Sequence, residues 1–134
     1  MRWIRPLLLL LLAGPLAGQT PRNLFPVDIR PRVVDDDTLY VVVEVRNESG
    51  KTVTSLEGFL YATSLTGQAL PERRLLFIGP GETLLNRLST TQTLFLPYRP
   101  RDPWTYTLTL CRVQFLGDPR VYAYHPRIGL FRLE

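Results

Sequence analysis

Residues 38 to 63 read TLYVVVEVRNESGKTVTSLEGFLYAT, and this stretch decides the fold. Within 38 to 46, Val41, Val43 and Val45 alternate with Tyr40, Val42, Glu44 and Arg46. Successive side chains of a strand point to opposite faces, so the alternation predicts a strand with these valines facing inward. Asn47-Glu48-Ser49-Gly50 is turn chemistry, with Gly50 suited to a positive φ. Residues 52 to 63 then return as a long strand, predicted to close a hairpin on the first.

Working outward, the chain continues as short β-branched and aromatic runs separated by Pro, Gly, Asn and Asp. On the N-terminal side, residues 27 to 34 (VDIRPRVV) read as a strand, with Pro31 placing it at an edge or a bulge. Asp35, Asp36 and Asp37 turn the chain. On the C-terminal side, Thr66-Gly67 marks a turn, and residues 73 to 78 form a strand ending at Gly79-Pro80-Gly81. Thr90 to Phe95 reads as β, and Leu84 to Leu88 fits a short helical turn. A Pro-rich crossing, PYRPRDP at 97 to 103, leads into a long strand over 104 to 116. Leu108 and Leu110 share one face there, whereas Val113 and Phe115 have the opposite parity, which predicts a bulge near Cys111 and Arg112. Residues 121 to 124 and 128 to 133 read as a final strand pair, or one strand broken around Pro126. About seven to nine short strands without crossover helices predict an all-β, single antiparallel sandwich of immunoglobulin-like type.

The first eighteen residues read differently. Arg2 and Arg5 precede the apolar run Leu7 to Leu12, and small or helix-breaking residues follow to Gly18. That is the order of a secretory signal peptide. The run falls short of the ~20 apolar residues that a spanning helix needs, so no stable membrane span is expected. An uncleaved N-terminal anchor stays open as the alternative. Residues 1–18 are thus expected to be a signal peptide and 19–134 one sandwich domain, placing it outside the cytoplasm, periplasmic or secreted. Without Arg2 and Arg5 the chain keeps fourteen basic against twelve acidic residues, a net charge of +2. So small an excess argues against a nucleic-acid partner, which calls for a clustered basic face.

One run resembles a known group. VEVRNESGKTVTSLEGFLYATSLTGQAL, followed by IGPGET, is similar to the FxLYD-like bacterial extracytoplasmic β-sandwich domains. The matching positions, over about residues 43–82, are Val43, Val45, Asn47, Ser49, Gly50, Phe59, Leu60, Tyr61, Gly67, Pro80, Gly81 and Glu82. Ala62 stands where the pattern has Asp. The resemblance implies a sandwich acting as an accessory or binding module and implies no catalytic set.

Residues able to do chemistry are few. His125 is the sole histidine and Cys111 the sole cysteine, so no internal disulfide forms and soft zinc ligands number two. Cys111 is expected to be a small buried apolar residue, with an intermolecular disulfide as the alternative. His125 lacks a Gly-x-Ser-x-Gly elbow and precedes Pro126, which points to a structural or surface role rather than a triad. Asp35-Asp36-Asp37 is expected to be a solvated turn rather than a calcium loop. Asn47-Glu48-Ser49 also fits a glycosylation sequon.

No cofactor or metal is expected. Tyr98, Arg99, Arg101 and Trp104 are the expected partner-binding patch, because aromatic and arginine side chains dominate interface hot spots; the alternative is that Trp104 begins a core strand and the arginines solvate a loop. Tyr122 and Tyr124 extend that surface unless they face a covered core. Ile128 to Leu133 is an apolar edge able to accept or donate a strand. The expectation is a non-catalytic module that binds another envelope protein. The alternative is a carbohydrate or cell-wall polymer binding module that stacks sugars on Trp104 and Tyr98.

Overall fold

The computed structural model describes residues 22–133, and the expected signal segment lies outside them. Eight strands form: β1 (Val27–Asp35), β2 (Thr38–Arg46), β3 (Val53–Ser64), β4 (Arg73–Ile78), β5 (Ser89–Pro97), β6 (Trp104–Phe115), β7 (Tyr122–His125) and β8 (Gly129–Arg132). They make two antiparallel sheets, ordered β1-β2-β5 and β4-β3-β6-β7-β8. The fold is therefore an all-β sandwich, as the short-strand pattern predicts. The chain passes between sheets after β2, β4 and β5, a Greek-key path that puts the fourth strand in the second sheet. Among the described residues no helix is long and apolar enough to cross a membrane.

The core lies between the sheets. Val41, Val43 and Val45 of β2 are fully buried, and Leu94 and Leu96 of β5 join them. Leu56, Leu60 and Ala62 of β3 and Leu110, Val113 and Phe115 of β6 close the other wall. The parity change in β6 is real. Gly58 pairs with Leu110 and Glu57 with Arg112, leaving Cys111 as the extra residue of a bulge. Before it the even-numbered residues face the core, and after it the odd-numbered ones do.

Three expectations need correction. Residues 38 to 46 and 52 to 63 do not form a hairpin, since β2 pairs with β1 and β5 while β3 pairs with β4 and β6. The NESG turn instead carries the chain across the sandwich. Asn47 drives this: its side chain turns inward and is fully buried. Its Nδ2 donates to the carbonyls of Lys51 (2.8 Å) and Leu84 (3.0 Å), and its Oδ1 accepts from the Ser49 N–H (3.0 Å) and hydroxyl (2.6 Å).

Leu84 to Leu88 is not a helical turn either. Leu84 is buried and exchanges two backbone hydrogen bonds with Val53, an isolated bridge that overrides the local helical preference. Arg87, at φ 72°, reverses the chain there, and its N–H donates to the Asn47 carbonyl. Finally, Cys111 is half-buried and off the core, because a bulge residue escapes the alternation. Its Sγ lies 3.5 Å from the Glu57 carbonyl, and burial pushes the thiol pKa up, with Glu57 adding to it.

Candidate functional site

The expected patch sits where the crossing from β5 meets β6. Trp104 opens β6 with its ring turned inward, 8% exposed, and its Nε1 donates to the Pro97 carbonyl at 2.7 Å. The Arg99 guanidinium lies 5.5 Å from the ring centroid, a cation–π contact that covers the indole from outside. Tyr98 is half-buried, and its N–H donates to the Asp37 carbonyl at 2.9 Å. These side chains, with Val33, Leu39 and Tyr106, line an open cleft of roughly 290 Å³ at the mouth of the sandwich. Arg101 is exposed and stands outside that lining. Three of the four expected residues therefore come together and the fourth does not.

The crossing is pinned from its other side. Asp102 accepts from the Thr66 N–H (3.2 Å) and hydroxyl (2.6 Å), bonds that hold its carboxyl below its ordinary pKa. The Pro-rich segment is thus a latched loop, fixed to both sheets.

A second feature lies along β6 itself. β6 pairs with β3 from Trp104 to Phe115, but with β7 only at Leu110 and Val113. On the side away from β3, the edge from Trp104 to Thr109 is unpaired among the described residues. The cause is local. β7 stops at His125, because Pro126 has no N–H to offer a ladder. Ile128 N–H then donates to the His125 carbonyl at 3.1 Å and Gly129 takes φ +91°, which folds β8 back onto β7. A second hollow, roughly 310 Å³, opens in the space so vacated, against Thr107, Leu108, Thr109 and Arg127. Sequence reading singled out Pro126 but not this edge, since a vacancy between strands belongs to the pairing rather than to any one segment.

The other candidates serve the fold. His125 is exposed, and its Nδ1 accepts from the Arg127 N–H at 3.1 Å. Asp35 accepts from the Asp37 N–H at 3.1 Å, an Asx-type turn that holds the Asp35 carboxyl below its ordinary pKa. Among the described residues no group of three or more His, Cys, Asp or Glu is placed to hold a metal ion. The sequon nitrogen of Asn47 already donates both hydrogens inside the protein, so the folded chain does not present it to a modifying enzyme. Tyr124 is a core residue, packed edge-on against Phe25 at 5.2 Å, with its hydroxyl donating to Asn23 Oδ1. Tyr122 is half-buried and donates to Asp118 at 2.9 Å. A partly exposed aromatic pair lies on the outer face of the first sheet. Tyr40 and Phe95 lie 5.4 Å apart, and Phe95 is 60% exposed. Its sequence signal is the outward parity of Tyr40.

No family model matches the chain, and no curated protein does. Among solved structures it is similar to Northeast Structural Genomics Consortium target SoR45. The TM-score is 0.50 and the identity 14%, over 83% of this chain and 86% of that one. Likeness at that identity shows the sandwich fold and carries nothing on function.

Proposed function

We propose that this chain is a non-catalytic interaction module that works outside the cytoplasm and binds another envelope protein. The observation that carries the reading is the open edge of β6 beside an apolar cleft. An unpaired row of backbone donors and acceptors next to exposed apolar surface is a template for another chain, and sandwiches ordinarily cover it. The extracytoplasmic placement rests on the basic, apolar and small-residue order of residues 1 to 18. The resemblance of residues 43–82 to FxLYD-like domains supports the same reading, because it implies an accessory or binding module. The two hollows beside β6 hold no carboxylate, and the His125 Nδ1 there is engaged; a larger hollow between β3 and β4, roughly 410 Å³, holds Glu57, which is ion-paired with Arg74.

A second reading, binding of carbohydrate or cell-wall polymer, draws on Tyr40 and Phe95 rather than on Trp104. Sugar stacking needs an open ring face, and the Trp104 ring is buried beneath Arg99. The test is a mild-crosslinking pull-down of the tagged chain from its native envelope with mass spectrometry of the captured material. One recurrent protein at near-equal amount is the expected result. A clean monomer, with the chain retained instead on insoluble polymer and released by Phe95→Ala, would move the assignment to the second reading.

A further inference from the structure

We infer that the groove along the open edge of β6 is an acceptor slot for one extended, acidic and apolar peptide strand of the partner. The inference rests on the interaction-module reading above and names its site and ligand chemistry. The slot has the length of a strand. Six residues, Trp104 to Thr109, span about 20 Å at ~3.3 Å each, the ordinary length of a sheet strand.

The register also points there. Tyr124 of β7 pairs with Leu110, so an uninterrupted β7 would lay residues 126, 128 and 130 opposite 108, 106 and 104. The chain leaves that line at Pro126, and the place for the missing half-strand lies between β6 and the outer part of β1. Val33 of β1, 51% exposed although it faces inward opposite Leu39, forms the far wall. Both hollows of the molecule's open side lie on this one line, the first against Trp104 and Tyr106 and the second against Thr107 to Thr109.

The chemistry of the walls selects the occupant. An extended backbone alone can satisfy a row of free N–H and C=O groups at strand spacing, which is recognition by strand addition. Val33, Leu39 and Tyr106 ask for apolar side chains at alternate positions. The charges lining the two hollows are Arg99 at one end and Arg127 at the other, with no Asp or Glu in either. Charge complementarity therefore calls for acidic residues flanking the apolar run.

The probe is a blocked nine-residue peptide of alternating Val and Thr with Glu at both ends, titrated into the full chain and followed by backbone amide NMR and hydrogen exchange. The expected result is shifts and slowed exchange concentrated at Trp104 to Thr109. Binding should weaken about tenfold when Lys replaces Glu and be lost when alternate peptide nitrogens are methylated. Arg99→Glu with Arg127→Glu, two exposed sites outside the core, should reverse the preference between the Glu and Lys peptides. Absence of perturbation at millimolar peptide, or perturbation centred on β8 or on Tyr40 and Phe95, would overturn the slot. A charge-reversed chain that still captures the same envelope partner would overturn it while leaving the module reading intact. A wild-type chain that captures no partner would remove that reading itself.

Discussion

Replacing Asn47 by alanine tests the physical account of the fold at its most connected polar residue. The side chain is wholly buried and makes four hydrogen bonds, two donated and two accepted. Each contributes about 1 kcal/mol net in a folded protein, so an upper figure is about 4 kcal/mol. Part of that is recovered. The Leu84 carbonyl keeps the Val53 N–H at 2.9 Å, and the Ser49 and Lys51 groups lie near solvent, where water replaces the lost partner. The expected loss is thus about 2–3 kcal/mol, a large share of the ~5–15 kcal/mol that holds a domain together.

Urea unfolding followed by circular dichroism measures it. Asn47→Asp keeps the shape but points a carboxylate at two carbonyls. The two Ser49 donors to Oδ1 favour the carboxylate, but full burial and the two facing carbonyl oxygens favour the neutral acid more strongly, so the folded pKa of the new Asp is expected to lie above its unfolded value. Stability of this variant then falls as pH rises through that folded pKa, the reverse of an ordinary ion-paired Asp. An Asn47→Ala loss below about 0.5 kcal/mol, or an Asn47→Asp chain as stable at pH 8 as at pH 4, would refute the reasoning.

Four further outcomes follow from named contacts. Gly58→Ala places a Cβ 2.8 Å from the Thr109 carbonyl oxygen, so melting should show a loss of about 1–3 kcal/mol from the backbone shift. Trp104→Ala should cost about 3–5 kcal/mol as a core truncation, whereas Arg101→Ala should stay within about 0.5 kcal/mol, both read by urea unfolding. Cys111, its thiol pKa raised first by burial, should react with iodoacetamide at pH 8 about fivefold or more slowly in the native chain than in denaturant. Asp118 is held well below its ordinary pKa of 3.8, first by the Arg120 side chain and then by the Arg120 N–H and the Tyr122 hydroxyl. Its stabilisation is complete above that ordinary value and is lost as pH falls toward the depressed one. An Asp118→Asn chain should therefore show a flatter stability profile below about pH 4 than wild type.

Much of the fold is written locally. The valine alternation of β2 and the parity change of β6 are short-range signals, and each finds its strand and its bulge. The partner of a strand is less legible. NESG is compatible with a hairpin turn and with a crossing between sheets, and the choice is made by Asn47 reaching Leu84, 37 residues away. Leu84 to Leu88 failed for the same reason, since its bridge to Val53 is long-range. Of the site, sequence supplied Tyr98, Arg99 and Trp104, and left open whether Trp104 belongs to a binding patch or opens a core strand; its indole anchors the loop from within. The open edge of β6 has no sequence motif beyond Pro126, because an edge is defined by the strand that does not come.

The most direct measurement is site-specific photocrosslinking in the native envelope. A photoreactive residue at Thr107, exposed on the open half of β6, is compared with one at Glu72, exposed before β4 at the far edge of the same sheet. One discrete protein adduct is expected from position 107 and none from position 72, with the 107 adduct diminished in the Arg99→Glu, Arg127→Glu chain. Equal adducts from both positions, or none from position 107, would contradict binding at this edge.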